Sequence, residues 1–286
     1  MARGTTSDAE HRAAIQNSLR STRALKTLFN ALGSAERPNG NIMRAYRVAR
    51  TALQNEVRGE RRAAFILQTL ADLSGQVKDA LDAEFANAFR LGEQQAEREL
   101  TIYGLSPDLN APRRTMREAV NMVMADVYRQ VAIIETRLVM DALDESIVGD
   151  EEHVGVLAPG AVLKSATRAL VEITGAAYAD IAHSAARKKG KDAFKRQAIA
   201  ALDERTTQTC LLVHAQVVGL DEDFILRGTP RYADRMRNPG FHWYCRTCTC
   251  LVRAESADDD LSVEMRRAAD ELKARQDGER QVIHPA

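Results

Sequence analysis

The sequence predicts a mainly α-helical protein, with a long-helix N-terminal region followed by a small α+β, cysteine/histidine-clasped C-terminal domain. Three observations predict it. Ala, Arg, Glu and Leu abound while aromatic residues make up only 5% of the 286 residues, a composition that favours helices. Apolar residues recur at three-and-four spacing along most of the chain as far as Ala186, the pattern of helices that each bury one face. Finally, all four cysteines fall between Cys210 and Cys250, in a stretch rich in turns and short β-like runs.

Residues 1–6 read as a loose tail. Ser7 and Glu10 have capping-box spacing and start a helix that runs to about Leu32 on the stripe Leu25, Leu28, Phe29 and Leu32. Gly33 and Arg37-Pro38-Asn39-Gly40 stop it. From Asn41 to Tyr103 the chain holds two or three helices, with Gly59, Gly75 and Gly92 as the weak points. Gly104 to Pro112 is a turn region. Arg113 to Ser146 carries the strongest helical stripe, from Met116 to Met140, and its methionines read as core filler. Gly149 to Gly160 is a linker candidate, and Ala161 to Ala186 is another helix. Phe194 to Leu202 forms a strand or a short helix. Gln216–Gly219 and Thr249–Arg253 read as short strands, and Ala257 to Gln276 as a charged helix. The divisions that follow are 1–150, 151–256 and 257–286, with the change of texture at Arg187 as a second boundary.

Forty basic residues balance forty acidic ones, which argues against a uniformly charged nucleic-acid coat. The opening residues hold no apolar run of signal-peptide length, and no stretch approaches the ~20 apolar residues of a membrane span. The expectation is therefore a soluble protein with no membrane contact, made in a reducing cytoplasm. There, clustered cysteines suggest metal more readily than disulfides.

Cys245 and Cys248 form a Cys-x-x-Cys pair, His242 precedes Cys245 by three residues, and Cys250 follows Cys248 by two. Cys210 and His214 are four apart, one helical turn. Thiolate and imidazole are the ligands zinc prefers, and four of them close a structural site. The residues alone leave three readings: a metal clasp, a clasp of free thiols held by hydrogen bonds and packing, or a disulfide formed outside the cell. A catalytic zinc lacks the His-x-Glu…Pro-Cys-x-x-Cys signature, and there is no His-Glu-x-x-His.

The stretch Asp203-Glu204-Arg205-Thr206, then Cys210, Gly219 and Pro239-Gly240-Phe241-His242-Trp243-Tyr244-Cys245-Arg246 resembles the phage Mu protein F-like family of minor head proteins. That family's pattern is Asp-x-Arg-Thr, a cysteine, a glycine and a distal Pro-Pro-x-His-x-x-Cys-Arg-Cys. Gly240 stands where the second Pro is usual, and Thr247 where the last Cys is expected. The resemblance covers roughly residues 165 to 255 and makes 151–256 the minor head domain. It implies a ligand set of Cys210, His242 and Cys245 completed by Cys248 or Cys250, with His214 in reserve; the ligand chemistry makes zinc the candidate structural metal. It also implies a non-enzymatic structural component of a tailed-phage virion. Such a protein sits in the head interior or at the portal vertex, after assembly in the host cytoplasm. It partners the portal and other capsid proteins and acts in head assembly and DNA packaging or ejection. Two alternatives are a zinc-dependent enzyme or toxin-like effector on the same scaffold, and a host interaction protein with a zinc clasp.

Asp203, Arg205 and Thr206 read as a capped turn with a partly buried ion pair, or as an active-site pair. Arg246 is expected to support the clasp, with Asp203 as one partner. The run Lys188, Lys189, Lys191, Lys195 and Arg196 is a solvated loop or, beside packaged double-stranded DNA, a phosphate contact. Phe241, Trp243 and Tyr244 pack around the clasp or form a docking patch.

Overall fold

The computed structural model describes residues 3–33, 40–54, 62–107, 120–133, 160–190, 192–226, 234–242, 244–257 and 259–283. The helices are α1 (Arg3–Leu32), α2 (Asn41–Gln54), α3 (Arg62–Ile102), α4 (including residues 120–133), α5 (Gly160–Arg187), the short α6 (Gln208–Val213) and α7 (Asp260–Ile283). The strands are β1 (Phe194–Ala200), β2 (Val217–Gly219), β3 (Phe224–Ile225), β4 (Arg235–Met236) and β5 (Thr247–Arg253). The long N-terminal helices and the small clasped sheet region are those the composition predicts. The flanks of the strong 113–146 stripe, and the linker up to residue 159, lie outside the described residues.

Helix α1 begins at Arg3, so Ser7 is not an N-cap. Its hydroxyl pairs with that of Ser256, and Glu10 holds the Arg253 guanidinium at 2.7 Å instead of closing a capping box. Tertiary partners at the end of β5 and just beyond it take both side chains. Helix α3 runs unbroken through Gly75 and Gly92. A Cβ on Gly92 would lie 2.3 Å from the Thr174 carbonyl oxygen of α5, so glycine here permits close helix packing and is not a breaker. Thr174 seals the contact by donating to the Ala88 carbonyl at 3.1 Å. Of the α4 methionines, Met124 packs on the core, whereas Met122 is 72% exposed.

Phe194–Ala200 is a strand, the centre of an antiparallel sheet ordered β2–β1–β5. Its register pairs Ala200 with Thr247, Ile199 with Cys248 and Gln197 with Cys250. The far edge of β5 faces helices rather than another strand, and side chains supply the hydrogen bonds a ladder would have made. Gln95 and Ser18 donate to the Thr249 carbonyl at 2.6 and 3.0 Å, and Tyr103 to the Leu251 carbonyl at 2.7 Å. The Leu251 amide donates to Glu99. Both principal core clusters draw on α1, α3, α5 and the sheet together.

Candidate metal centre

Two short segments converge below the β1–β5 face. The first opens with a turn in which the Thr206 amide donates to the Asp203 carbonyl at 2.9 Å and the Thr206 hydroxyl accepts from the Asp203 amide at 2.9 Å. Thr207 then N-caps α6, accepting from the Cys210 amide, and so aims Cys210 inward. The second segment arrives through Pro239 and Gly240. Gly240 has φ +114°, and a Cβ there would lie 2.5 Å from Glu172 Cγ. Proline, with φ locked near −65°, cannot occupy this position. Tyr244, at φ 56°, makes a left-handed turn directly before Cys245. Its ring meets Phe29 edge-on at 5.9 Å, and its amide donates to Thr167 Oγ1 at 3.3 Å.

Cys210, His242 and Cys245 thereby meet, all buried, with their ligand atoms within 4.8 Å of one another. Cys210 Sγ lies 2.8 Å from His242 Nε2 and 3.7 Å from Cys245 Sγ. All four cysteines are free. Burial raises the Cys210 thiol well above its usual range. Burial also pushes Cys245 upward, but hydrogen bonds from Cys210 and His242, and the backbone of Gly240, outweigh it and hold this sulfur well below the thiol range.

Thr247, where the family pattern has its last cysteine, donates its hydroxyl to Cys210 Sγ at 3.1 Å. Neither Cys248 nor Cys250 belongs to the converging set. Neighbours in a strand face opposite ways, so with Thr247 turned to Cys210 both cysteines point to the other face. There Cys248 joins the main core cluster, and Cys250 the second, beside Ser18. The reserve ligand His214 is also elsewhere. Its Nδ1 accepts from the Ala200 amide at 3.0 Å, and burial lowers its pKa to about 4.

These three donors could hold a metal ion. Tetrahedral zinc with Zn–S near 2.3 Å sets its sulfurs about 3.7 Å apart, the spacing found between Cys210 and Cys245. The Cys210–His242 distance is a hydrogen-bond length, about 0.7 Å shorter than a sulfur–nitrogen edge of that tetrahedron, so His242 would draw back slightly on metal binding. Among the described residues no third thiolate joins this set; the group beside Cys210 is the Thr247 hydroxyl.

Arg246 brackets the site by forming a two-pronged pair with Asp203, at 2.6 Å on both arms. The Ala201 amide donates to the Arg246 carbonyl at 3.1 Å, so the two segments are joined by backbone as well. The Arg246 guanidinium holds the Asp203 carboxyl below its usual 3.8. A depressed carboxyl stabilises the fold above that value and loses its contribution as pH falls through the folded pKa. Because Asp203 is 45% exposed, Asp203→Asn should cost only about 0.5–1 kcal/mol at neutral pH. The difference from wild type should vanish in acid, as denaturant melts at the two pH values will show.

The basic run is not the contiguous surface that the sequence suggests. Arg196 is fully buried and bonds the carbonyls of Gly219, Glu222 and Arg237 and the amide oxygen of Asn238. Lys195 sits half-buried on β1, Lys188 and Lys189 are exposed, and Lys191 lies outside the described residues. Phe241 is buried against Phe224, with centroids 6.0 Å apart, rather than offered for docking; Trp243 also lies outside the described residues. Thr247 and Gly240 were the site residues hardest to foresee, since their only signal is departure from a pattern. No described helix is long and apolar enough to cross a membrane. Comparison with protein-family models, curated proteins and solved structures finds no match.

Proposed function

We propose that this chain is a structural, non-catalytic minor head protein of a tailed bacteriophage, docked at the portal vertex and acting in head assembly and DNA packaging or ejection. The observation that supports this reading is the meeting of the two half-motifs. Residues 32 to 43 positions apart close on one another, Cys210 onto His242 and Cys245, and Asp203 onto Arg246. The half-motifs therefore behave as one structural unit, as the resemblance requires. The partners on this reading are the portal and other capsid proteins, and any contact with packaged DNA would fall to the exposed Lys188 and Lys189 rather than to the buried Arg196. Mass spectrometry of purified particles from a phage encoding this chain should find it in a few copies, co-purifying with the portal. Its absence from those particles would overturn the reading.

The clasp is assigned to zinc, held by Cys210, His242 and Cys245. Bound there, zinc would supply a rigid crosslink between the two segments and no chemistry. Elemental analysis of the full chain should give about one zinc ion per chain, and Cys245→Ser should lose it and melt roughly 5–10 °C lower. A metal-free wild type melting together with that variant would sink the zinc assignment and leave the hydrogen-bonded cluster as the clasp.

A further inference from the structure

We infer that the groove between α1, the C-terminal end of β1 and α7 is a binding site for a small organic anion with an apolar body, its head group a carboxylate. The groove has a volume of about 500 Å³, within the range of small-molecule pockets. Ile15 and Leu19 of α1, Ile199 of β1 and Met265 of α7 line it with aliphatic surface. Polar groups converge on the same space, and almost all of them are donors or cations.

Arg23 and Lys26 line the groove one turn apart on α1, both exposed, and neither makes an ion pair among the described residues. His214 lines it too. Its Nδ1 accepts the Ala200 amide hydrogen, so in the neutral ring the proton sits on Nε2, which has no acceptor among the described residues. The one carboxylate in the lining, Asp203, is already engaged by both arms of Arg246. A cationic ligand would meet Arg23 and Lys26. A neutral apolar one would cover the His214 donor without pairing it, a cost of about 1–3 kcal/mol. Inorganic anions would leave the aliphatic lining unused. An apolar carboxylate satisfies both parts of the groove, with its head on Arg23, Lys26 and the His214 Nε2–H and its chain on Ile15, Leu19, Ile199 and Met265. The inference stands apart from the capsid reading and needs no metal in the clasp.

The test is calorimetric titration of the full chain with octanoate, 1-octanol and inorganic phosphate. Octanoate should saturate at one per chain, with octanol and phosphate each weaker by about tenfold or more. Arg23→Glu/Lys26→Glu exchanges two exposed side chains and should weaken octanoate at least about tenfold with an unchanged melting curve. Arg20→Glu, on the same helix but outside the lining, should bind as wild type does. Octanol binding as tightly as octanoate, Arg20→Glu weakening as much as the double variant, or no saturable octanoate binding would each overturn the site.

Discussion

Arg196→Ala should destabilise the protein by about 3–5 kcal/mol, the larger of two effects expected from buried charge. Arg196 is fully buried in β1, with its guanidinium 4.7 Å above the Phe224 ring. It reaches acceptors on three separate stretches: Gly219 at the end of β2, Glu222, and Arg237–Asn238 on the approach to His242. Burial lowers its pKa to about 10, which still leaves it charged at neutral pH. Truncation strands these oxygens and opens a cavity where the side chain was. Arg196→Lys should recover part of the loss, because one ammonium cannot span acceptors placed for a planar fork. Urea melts of the three proteins decide it. A loss under about 1 kcal/mol for the alanine variant would show that water replaces the guanidinium.

Glu99→Gln should have the opposite sign. Glu99 is completely buried at the β5 edge, and burial raises its pKa from 4.5 to about 8, against the opposing hydrogen bonds from the Leu251 amide and Tyr178. A carboxyl whose folded pKa is raised binds its proton more tightly in the native state. Its contribution is fully present below 4.5 and is lost as pH climbs to about 8. Glutamine keeps the acceptor for Leu251 and Tyr178 and never ionises. It also places an N–H beside the neighbouring Asn17 Oδ1, which lacks a partner. The variant should match wild type near pH 4.5 and exceed it by on the order of 4 kcal/mol at pH 8. Parallel stability curves across that range would mean that Glu99 is ionised throughout.

Both residues show where sequence reading failed. Arg196 closes a run of basic residues and reads as surface, yet β1 is the central strand and alternation alone does not reveal which charged side chain its face will enclose. Nothing in the local sequence singles out Glu99, Gln95 and Asn17 as buried. They are buried because the open edge of β5 needs donors and acceptors, and that need exists only once the sheet is placed against α1 and α3. Ser7 and Glu10 have the spacing of a capping box and serve instead as partners for Ser256 and Arg253, a local preference overridden by a distant contact.

What the sequence determined by itself is what depends on local spacing or residue chemistry: the helical stripes of α1, α3 and α5, the turn at Asp203–Thr206, and a cluster of cysteines and histidines between 210 and 250 with ligand-type side chains. Tertiary structure alone decided which neighbours complete that site. Strand alternation in β5 turns Thr247 toward Cys210 and sends Cys248 and Cys250 to the opposite face, although a Cys-x-x-Cys pair invites the reverse. The register with β1 sets that direction, and β1 is fixed by core packing and by the buried Arg196, so the ligand set depends on contacts between residues far apart in the chain.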